Sequence, residues 1–198
     1  NDGLLAEILK VEGLSKQFTK KSLFGSKSST VKAVDDVTFS LHDDEVLVIA
    51  GESGSGKSTI AKLILRAITP DSGKVVFDGE EISDNANSIM KIRMNCQMVH
   101  QDPYDSINPR MKVKDIVSEP LEIHNVGDSQ GREKIVLNAL REVKLEPVEE
   151  IANKYPHMLS GGQRQRIVLA RALVVRPKII IADEPVSMLD VSIRGEIL

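Results

Sequence analysis

The segment Gly51 to Thr59, GESGSGKST, matches the pattern G-x-x-x-x-G-K-[ST] and directly follows the apolar run Val46-Leu47-Val48-Ile49-Ala50. This order restricts the fold more than any other stretch, because such a loop works only where a buried strand delivers it to a helix N-terminus. Glycines let successive backbone N–H groups turn inward around a polyphosphate, where a side chain would block the approach. Gly51, Glu52, Ser53, Gly54, Ser55 and Gly56 are therefore the expected phosphate cradle. Lys57 would reach the terminal phosphates, Ser58 would hold Mg2+ through its hydroxyl, and Thr59 completes the motif. Downstream, Ile60, Leu63, Ile64 and Ala67 recur at helical spacing. Buried strand, phosphate loop and helix are expected in that order.

The rest of the chain builds around that unit. Ile8 to Phe18 and Val31 to Leu41 read as extended, alternating segments joined by the Lys, Ser and Gly-rich stretch Lys20 to Thr30, a hairpin tip. Val75-Val76-Phe77 precedes the turn Asp78-Gly79, and Gln97 to His100 precedes Gln101-Asp102-Pro103; both read as strands. From Val113 to about Asn153 the period becomes helical, with Ile116, Val117, Leu121, Ile135, Val136, Leu140 and Val143 as buried positions. Gly127 and Gly131 punctuate this stretch, and Pro147 opens a further short helix. A helix from Gly161 or Gly162 to Val175, a break at Pro177, a strand Lys178 to Ala182 and a last helix near Val191 complete the pattern.

Two further motifs carry chemistry. The run Ile179 to Ala182 ends in Asp183-Glu184, and its unbroken apolar character predicts burial on both faces. Ligands of a parallel sheet bind at the carboxyl ends of its strands, so Asp183 would face the phosphates and the magnesium, and Glu184 would orient or deprotonate an attacking water. The second motif is Leu159-Ser160-Gly161-Gly162-Gln163, opening a helix that carries Ile167, Leu169, Ala170 and Leu173. Ser160 is an N-cap, and the paired glycines leave backbone N–H groups open at a positive helix end. One chain cannot easily bring two anion sites onto one γ-phosphate, so two chains, each covering the other's nucleotide, are the economical arrangement.

On these residues the chain resembles the nucleotide-binding subunits of ABC transporters. The family's pattern matches Walker A at Gly51 to Thr59, the Q-loop at Gln101, the signature at Leu159 to Gln163, Walker B through Asp183 and Glu184, and the D-loop at Ser187 to Asp190. Gln101 to Met111, with Tyr155-Pro156-His157, resembles the ATPases of oligopeptide and dipeptide importers. The resemblance implies an α/β fold: a P-loop ATPase core with an N-terminal antiparallel β subdomain (1–102 and 161–198) and an inserted α-helical subdomain (103–160), all one nucleotide-binding domain over 1–198. It implies ATP and Mg2+, with Lys57, Gln101 and Glu184 catalytic and Ser58, Gln101 and Asp183 on the metal. Phe18 would stack on adenine, and Ser160, Gly161, Gly162, Gln163 and Asp190 would complete the nucleotide site across a dimer seam. Its partners would be a second nucleotide-binding subunit, alike or different, and transmembrane permease subunits, at the cytoplasmic face of the membrane. The family's switch histidine has no counterpart in His42 or His124, and the sequence stops at Leu198 within a helical pattern, so a C-terminally truncated chain is expected.

Composition narrows the alternatives. A net charge of −3 gives no global pull toward nucleic acid or anionic lipid, and no nucleic-acid partner is expected. The one cysteine, Cys96, forms no internal disulfide and reads as a packing residue. No apolar run is long enough for a bilayer, and Asn1 to Gly13 lacks the pattern of a signal peptide. A soluble relative serving DNA repair or translation would carry a long coiled coil or a second cassette, and neither is present. A module that uses ATP only to dimerise is opposed by Asp183 and Glu184 but favoured by the missing switch histidine, and so stays open as the alternative, whereas a nucleotide kinase or GTPase leaves Leu159 to Gln163 unexplained.

Overall fold

Alternating apolar residues near the N-terminus pair into the first sheet of this computed structural model, which describes residues 6–20, 29–49, 54, 56–99 and 107–182. The chain divides into two compact units, Asn1–Ile92 and Arg93–Leu198. In the first, β1 (Glu7–Lys20) lies between β2 (Ser29–His42) and β3 (Ser72–Phe77), all antiparallel, and β4 (Glu80–Glu81) pairs with β3 in the order β2-β1-β3-β4. Leu9 opposite Phe77 and Val11 opposite Val75 are buried cross-strand pairs that set the register. Asp78 and Gly79, both with positive φ (48° and 77°), make the two-residue turn whose twist matches the strands. Gly73 has φ 83°, and a Cβ there would collide with the Gly13 backbone, so only glycine lets β3 lie this close to β1.

Helix α1 (Lys57–Ile64) buries Ile60, Ala61, Leu63 and Ile64. It ends before Arg66, which turns to φ 50°, so Ala67 falls outside the helix and is exposed, contrary to the spacing argument. A second departure concerns Val46 to Ile49, expected as a buried strand. These residues adopt no strand and are exposed, Val48 to 78%; Ala50 lies outside the described residues. The reason is a missing ladder: none of the described strands, which pair among themselves, pairs with the run. Helix α2 (Ala86–Asn95) starts where Asn85 Oδ1 accepts the Ser88 N–H at 2.8 Å.

The second unit holds the parallel pair β5 (Cys96–Val99) and β6 (Ile179–Ala182) together with α3 (Val113–Ile123), α4 (Ser129–Glu142), α5 (Val148–Ala152) and α6 (Gly161–Leu173). Its core joins Val117 and Leu121 of α3, Val136 and Leu140 of α4, Ile151 of α5 and Ile167 of α6. Every helical position expected inside is buried except Ile135, which packs partly buried against the cluster. Gly127 (φ 67°) breaks the chain between α3 and α4, but Gly131 does not punctuate it. Asp128 caps α4 by accepting the Gly131 N–H at 2.8 Å, so Gly131 lies in the first turn of the helix. Burial of β6 on both faces is also corrected: only Ile179 is buried and Ile180 is 37% exposed, because β6 has a single described neighbour, β5. The helix expected near Val191 lies outside the described residues.

Side chains of α6 tie it to its neighbours. The Arg171 guanidinium donates to Glu119 of α3 at 2.7 Å. Arg166 donates to the Lys144 carbonyl at 3.1 Å and the Val143 carbonyl at 3.4 Å, just past α4, where helix carbonyls lack partners of their own. Among the described residues no helix is long and apolar enough to cross a membrane.

Candidate functional site

The phosphate-loop pattern ends on a helix built to receive an anion. Gly56 is the N-cap of α1 with φ 93°, and no side chain caps the helix in its place. A Cβ at Gly56 would collide with the Ala33 carbonyl, so β2 itself demands glycine here. Lys57, Ser58 and Thr59 form the first turn, which carries no acidic residue, so the turn itself puts no negative charge at the positive end of the helix dipole. A helix start with no acid, an ammonium and two hydroxyls suits a phosphate and a divalent cation bound to it. Gly54 (φ 81°) is described, whereas Gly51, Glu52, Ser53 and Ser55 lie outside the described residues.

Strands β5 and β6 run parallel in the register Cys96–Ile179, Gln97–Ile180, Met98–Ile181 and Val99–Ala182. Both strands therefore finish at one edge, and the sequence puts Gln101 two residues past the first end and Asp183 one residue past the second. Gln101, Asp183, Glu184 and Asp190 themselves lie outside the described residues. What the described residues show is that the two strands leading to those segments are paired neighbours that end side by side.

At the start of α6, Ser160 and Gln163 form a reciprocal capping box. Ser160 Oγ accepts the Gln163 N–H at 3.2 Å, and Gln163 Oε1 accepts the Ser160 N–H at 3.0 Å. Gly161 and Gly162 are exposed, and a Cβ on either would meet nothing within 4 Å. No described residue accepts their N–H groups. Among the described residues nothing in the packing demands glycine at these two positions.

Phe18 stands on β1 opposite Val31 and is 43% exposed, so it is not packed beneath the sheet. The Lys16 ammonium lies 5.9 Å from the centre of its ring and 2.8 Å from Asp71 Oδ1. Lys16 and then the Gln17 N–H hold the Asp71 carboxyl below the ordinary carboxylate range. Cys96 is buried, and burial pushes its thiol up to about 12, consistent with a packing role. His157 stacks on Tyr155 with ring centres 5.7 Å apart.

A family model described as ABC transporter matches residues 34–187. The chain belongs to the ABC transporter family. An oligopeptide transport ATP-binding protein of Bacillus subtilis is 45% identical over 96% of this chain and 58% of its own length. A glutathione import ATP-binding protein of Salmonella typhimurium is also 45% identical, over 96% of this chain and 31% of its own. The chain thus spans between about a third and three fifths of the curated relatives it matches. Among solved structures, a dimeric ATP-binding cassette in a post-hydrolysis state bound to ADP and Pi is similar at a TM-score of 0.77 and 31% identity, covering 96% of this chain and 79% of that one. The cassette from Clostridium perfringens that is part of a CbiONQ transporter complex gives a TM-score of 0.75 at 31% identity, over 97% of this chain and 71% of that one.

Membership in the ABC family accounts for the α/β architecture with its antiparallel N-terminal sheet and its helices. Lys16 and Asp71 form a pair that sequence reasoning passed over. They are 55 residues apart, and no spacing rule pairs a lysine in a strand with an aspartate beyond a distant helix. The only signal available was local: Asp71 precedes Ser72-Gly73, where a tight approach of two strands begins.

Proposed function

We propose that this chain is the ATP-binding and hydrolysing motor domain of an ABC transporter, in a system that imports oligopeptides or dipeptides. The observation that carries this reading is the pair of anion-ready helix starts in one ABC chain: α1 with Gly56, Lys57 and Ser58, and α6 with Ser160, Gly161 and Gly162. Exposed glycines whose N–H groups have no described acceptor are what a second subunit's nucleotide would need, and the solved relative in its ADP and Pi state is dimeric. The names of the relatives, oligopeptide transport and glutathione import, support a small-peptide cargo.

In this reading ATP lies against Phe18, the Walker A residues Gly51 to Thr59 hold its phosphates, and Lys57 binds the γ-phosphate. Ser58, Gln101 and Asp183 hold Mg2+, which when bound neutralises charge on the β- and γ-phosphates. Glu184 orients and deprotonates the attacking water, and Gln101 contacts that water and links core to helical segment. From the facing subunit come Ser160, Gly161, Gly162, Gln163 and Asp190, so the site is complete only in a closed dimer. Closure depends on contacts that ATP makes and ADP lacks. We assign 1–102 and 161–198 to the ATPase core and 103–160 to the helical subdomain that meets the permease subunits, with the assembly at the cytoplasmic face of the membrane.

The test is ATP-dependent association of a Glu184→Gln protein, followed by analytical ultracentrifugation with ATP, with ADP and without nucleotide. A dimer with ATP alone is expected. Persistence of a monomer under saturating Mg-ATP would remove the shared-site account, and unchanged ATP affinity in Lys57→Ala would remove the phosphate-loop account.

A further inference from the structure

Beyond Ser15, β1 loses one neighbour. Strand β3 begins at Ser72, which pairs with Ser15, so Lys16 to Lys20 have β2 on one side and no described strand on the other. An N–H facing that vacant side needs an acceptor, and Asp71 supplies it. Its backbone N–H donates to the Ser15 carbonyl at 2.9 Å, and its Oδ2 accepts the Gln17 N–H at 2.7 Å. Its Oδ1 accepts from the Lys16 ammonium at 2.8 Å. A single side chain therefore continues the sheet edge for one more residue and fixes the lysine that faces Phe18.

Lys16 and Phe18, two apart on one strand, project to the same face, and the ammonium lies within the range of a cation–π contact at 5.9 Å. The lysine side chain is only 18% exposed, so it is held against the sheet rather than waving in solvent. Across the ladder Phe18 faces Val31, which is also exposed. Its position is thus set from one side by the Lys16–Asp71 pair and from the other by β2. The connection from α1 to β3 contains Asp71, so the element that starts with Lys57 and Ser58 leads to the residue that steadies the aromatic.

We propose that Asp71 is a positioning residue for nucleobase binding: through the Lys16 ammonium and the Gln17 N–H it holds the end of β1 and the Phe18 ring in the place where adenine stacks. The proposal rests on Phe18 being the base platform. Asp71 touches neither nucleotide nor water in this role. Its effect belongs to the base alone, so it strengthens binding of ATP and leaves binding of a bare triphosphate unchanged.

The experiment measures dissociation constants for Mg-ATP and for Mg-tripolyphosphate with the full-length protein and three variants, Phe18→Ala, Asp71→Asn and Asp71→Ala. One stacked base is worth about ten- to a hundredfold in affinity, so Phe18→Ala raises the ATP constant by that order and leaves tripolyphosphate alone. Asp71→Asn retains an acceptor for the Gln17 N–H but turns an amide toward the ammonium, and weakens ATP about threefold. Asp71→Ala removes both anchors and weakens ATP about tenfold, toward the Phe18→Ala value. In the double variant Phe18→Ala/Asp71→Ala, ATP affinity falls no further than in Phe18→Ala. Tripolyphosphate affinity serves as the check that each variant is folded. If Phe18→Ala weakens ATP while Asp71→Ala does not, the positioning role is refuted and the stacking reading stands. If Phe18→Ala does not separate ATP from tripolyphosphate, the stacking reading fails and takes the inference with it. Equal weakening of both ligands by Asp71→Ala marks a general structural role and also overturns the proposal.

Discussion

A methyl group added to the start of α6 should stabilise the chain and disable its association. Gly161 and Gly162 have no left-handed φ, and a Cβ at either meets open space, so Gly161→Ala and Gly162→Ala introduce no clash within the chain. Replacing glycine with alanine at a compatible helix position stabilises by about 0.4 to 1 kcal/mol, largely by restricting the unfolded chain. For 198 residues, 1 kcal/mol corresponds to roughly 2–4 °C, so each substitution should raise Tm by about 1–4 °C. The same methyl would stand between two N–H groups and the phosphate of a nucleotide on a facing subunit. A hydrogen bond to a charged group is worth about 1.5–3 kcal/mol, so losing the close approach of one N–H weakens ATP-driven dimerisation by about ten- to a hundredfold. Differential scanning fluorimetry without nucleotide reads the first effect. Sedimentation in a Glu184→Gln background with Mg-ATP reads the second. The reasoning is refuted by a fall in Tm, which would mean the space is not open. It is equally refuted by a dimerisation constant that does not move, since then no partner approaches these glycines.

Gly56→Ala should have the opposite character. Its Cβ would strike the Ala33 carbonyl at a backbone φ of 93°, so equilibrium dialysis with Mg-ATP should show binding reduced by at least tenfold, and Tm should fall rather than rise. Ile167→Ala, at the centre of the core shared by α3 to α6, should cost about 2–5 kcal/mol in urea unfolding, and a loss below about 1 kcal/mol would deny that this cluster holds the unit together. Cys96 has its thiol pushed up to about 12, so iodoacetamide at pH 8 should modify it only after unfolding. Because the folded value lies above the unfolded one, near 8.5, the thiol's contribution to stability is complete below about pH 8.5 and is lost as pH rises from there toward 12; Cys96→Ala should flatten that part of the alkaline stability profile.

Local order was written in the sequence. The capping box of Ser160 and Gln163 spans four residues, the Asp78-Gly79 turn two, and the buried faces of α3 and α4 follow a period of 3.6, so neighbouring letters suffice to predict each of them. The phosphate loop and signature are equally local, and from them the family was legible before any coordinate. Tertiary structure alone decided what depends on a distant neighbour. The apolar run Val46 to Ile49 looks like a buried strand, yet burial requires a ladder partner, and none of the described strands supplies one. Ile180 carries the same β-branched signal as Ile179 but is half-exposed because β6 has one described neighbour. Whether glycine is needed at Gly56 rests on the Ala33 carbonyl, and whether it is needed by packing at Gly161 rests on an empty space that no pattern announces. Lys16 and Asp71 meet across 55 residues, because two strands and a helix fold them to one edge of a sheet. Periodicity and capping are set by bonds three or four residues long, whereas partners of this kind exist only once the chain has closed on itself.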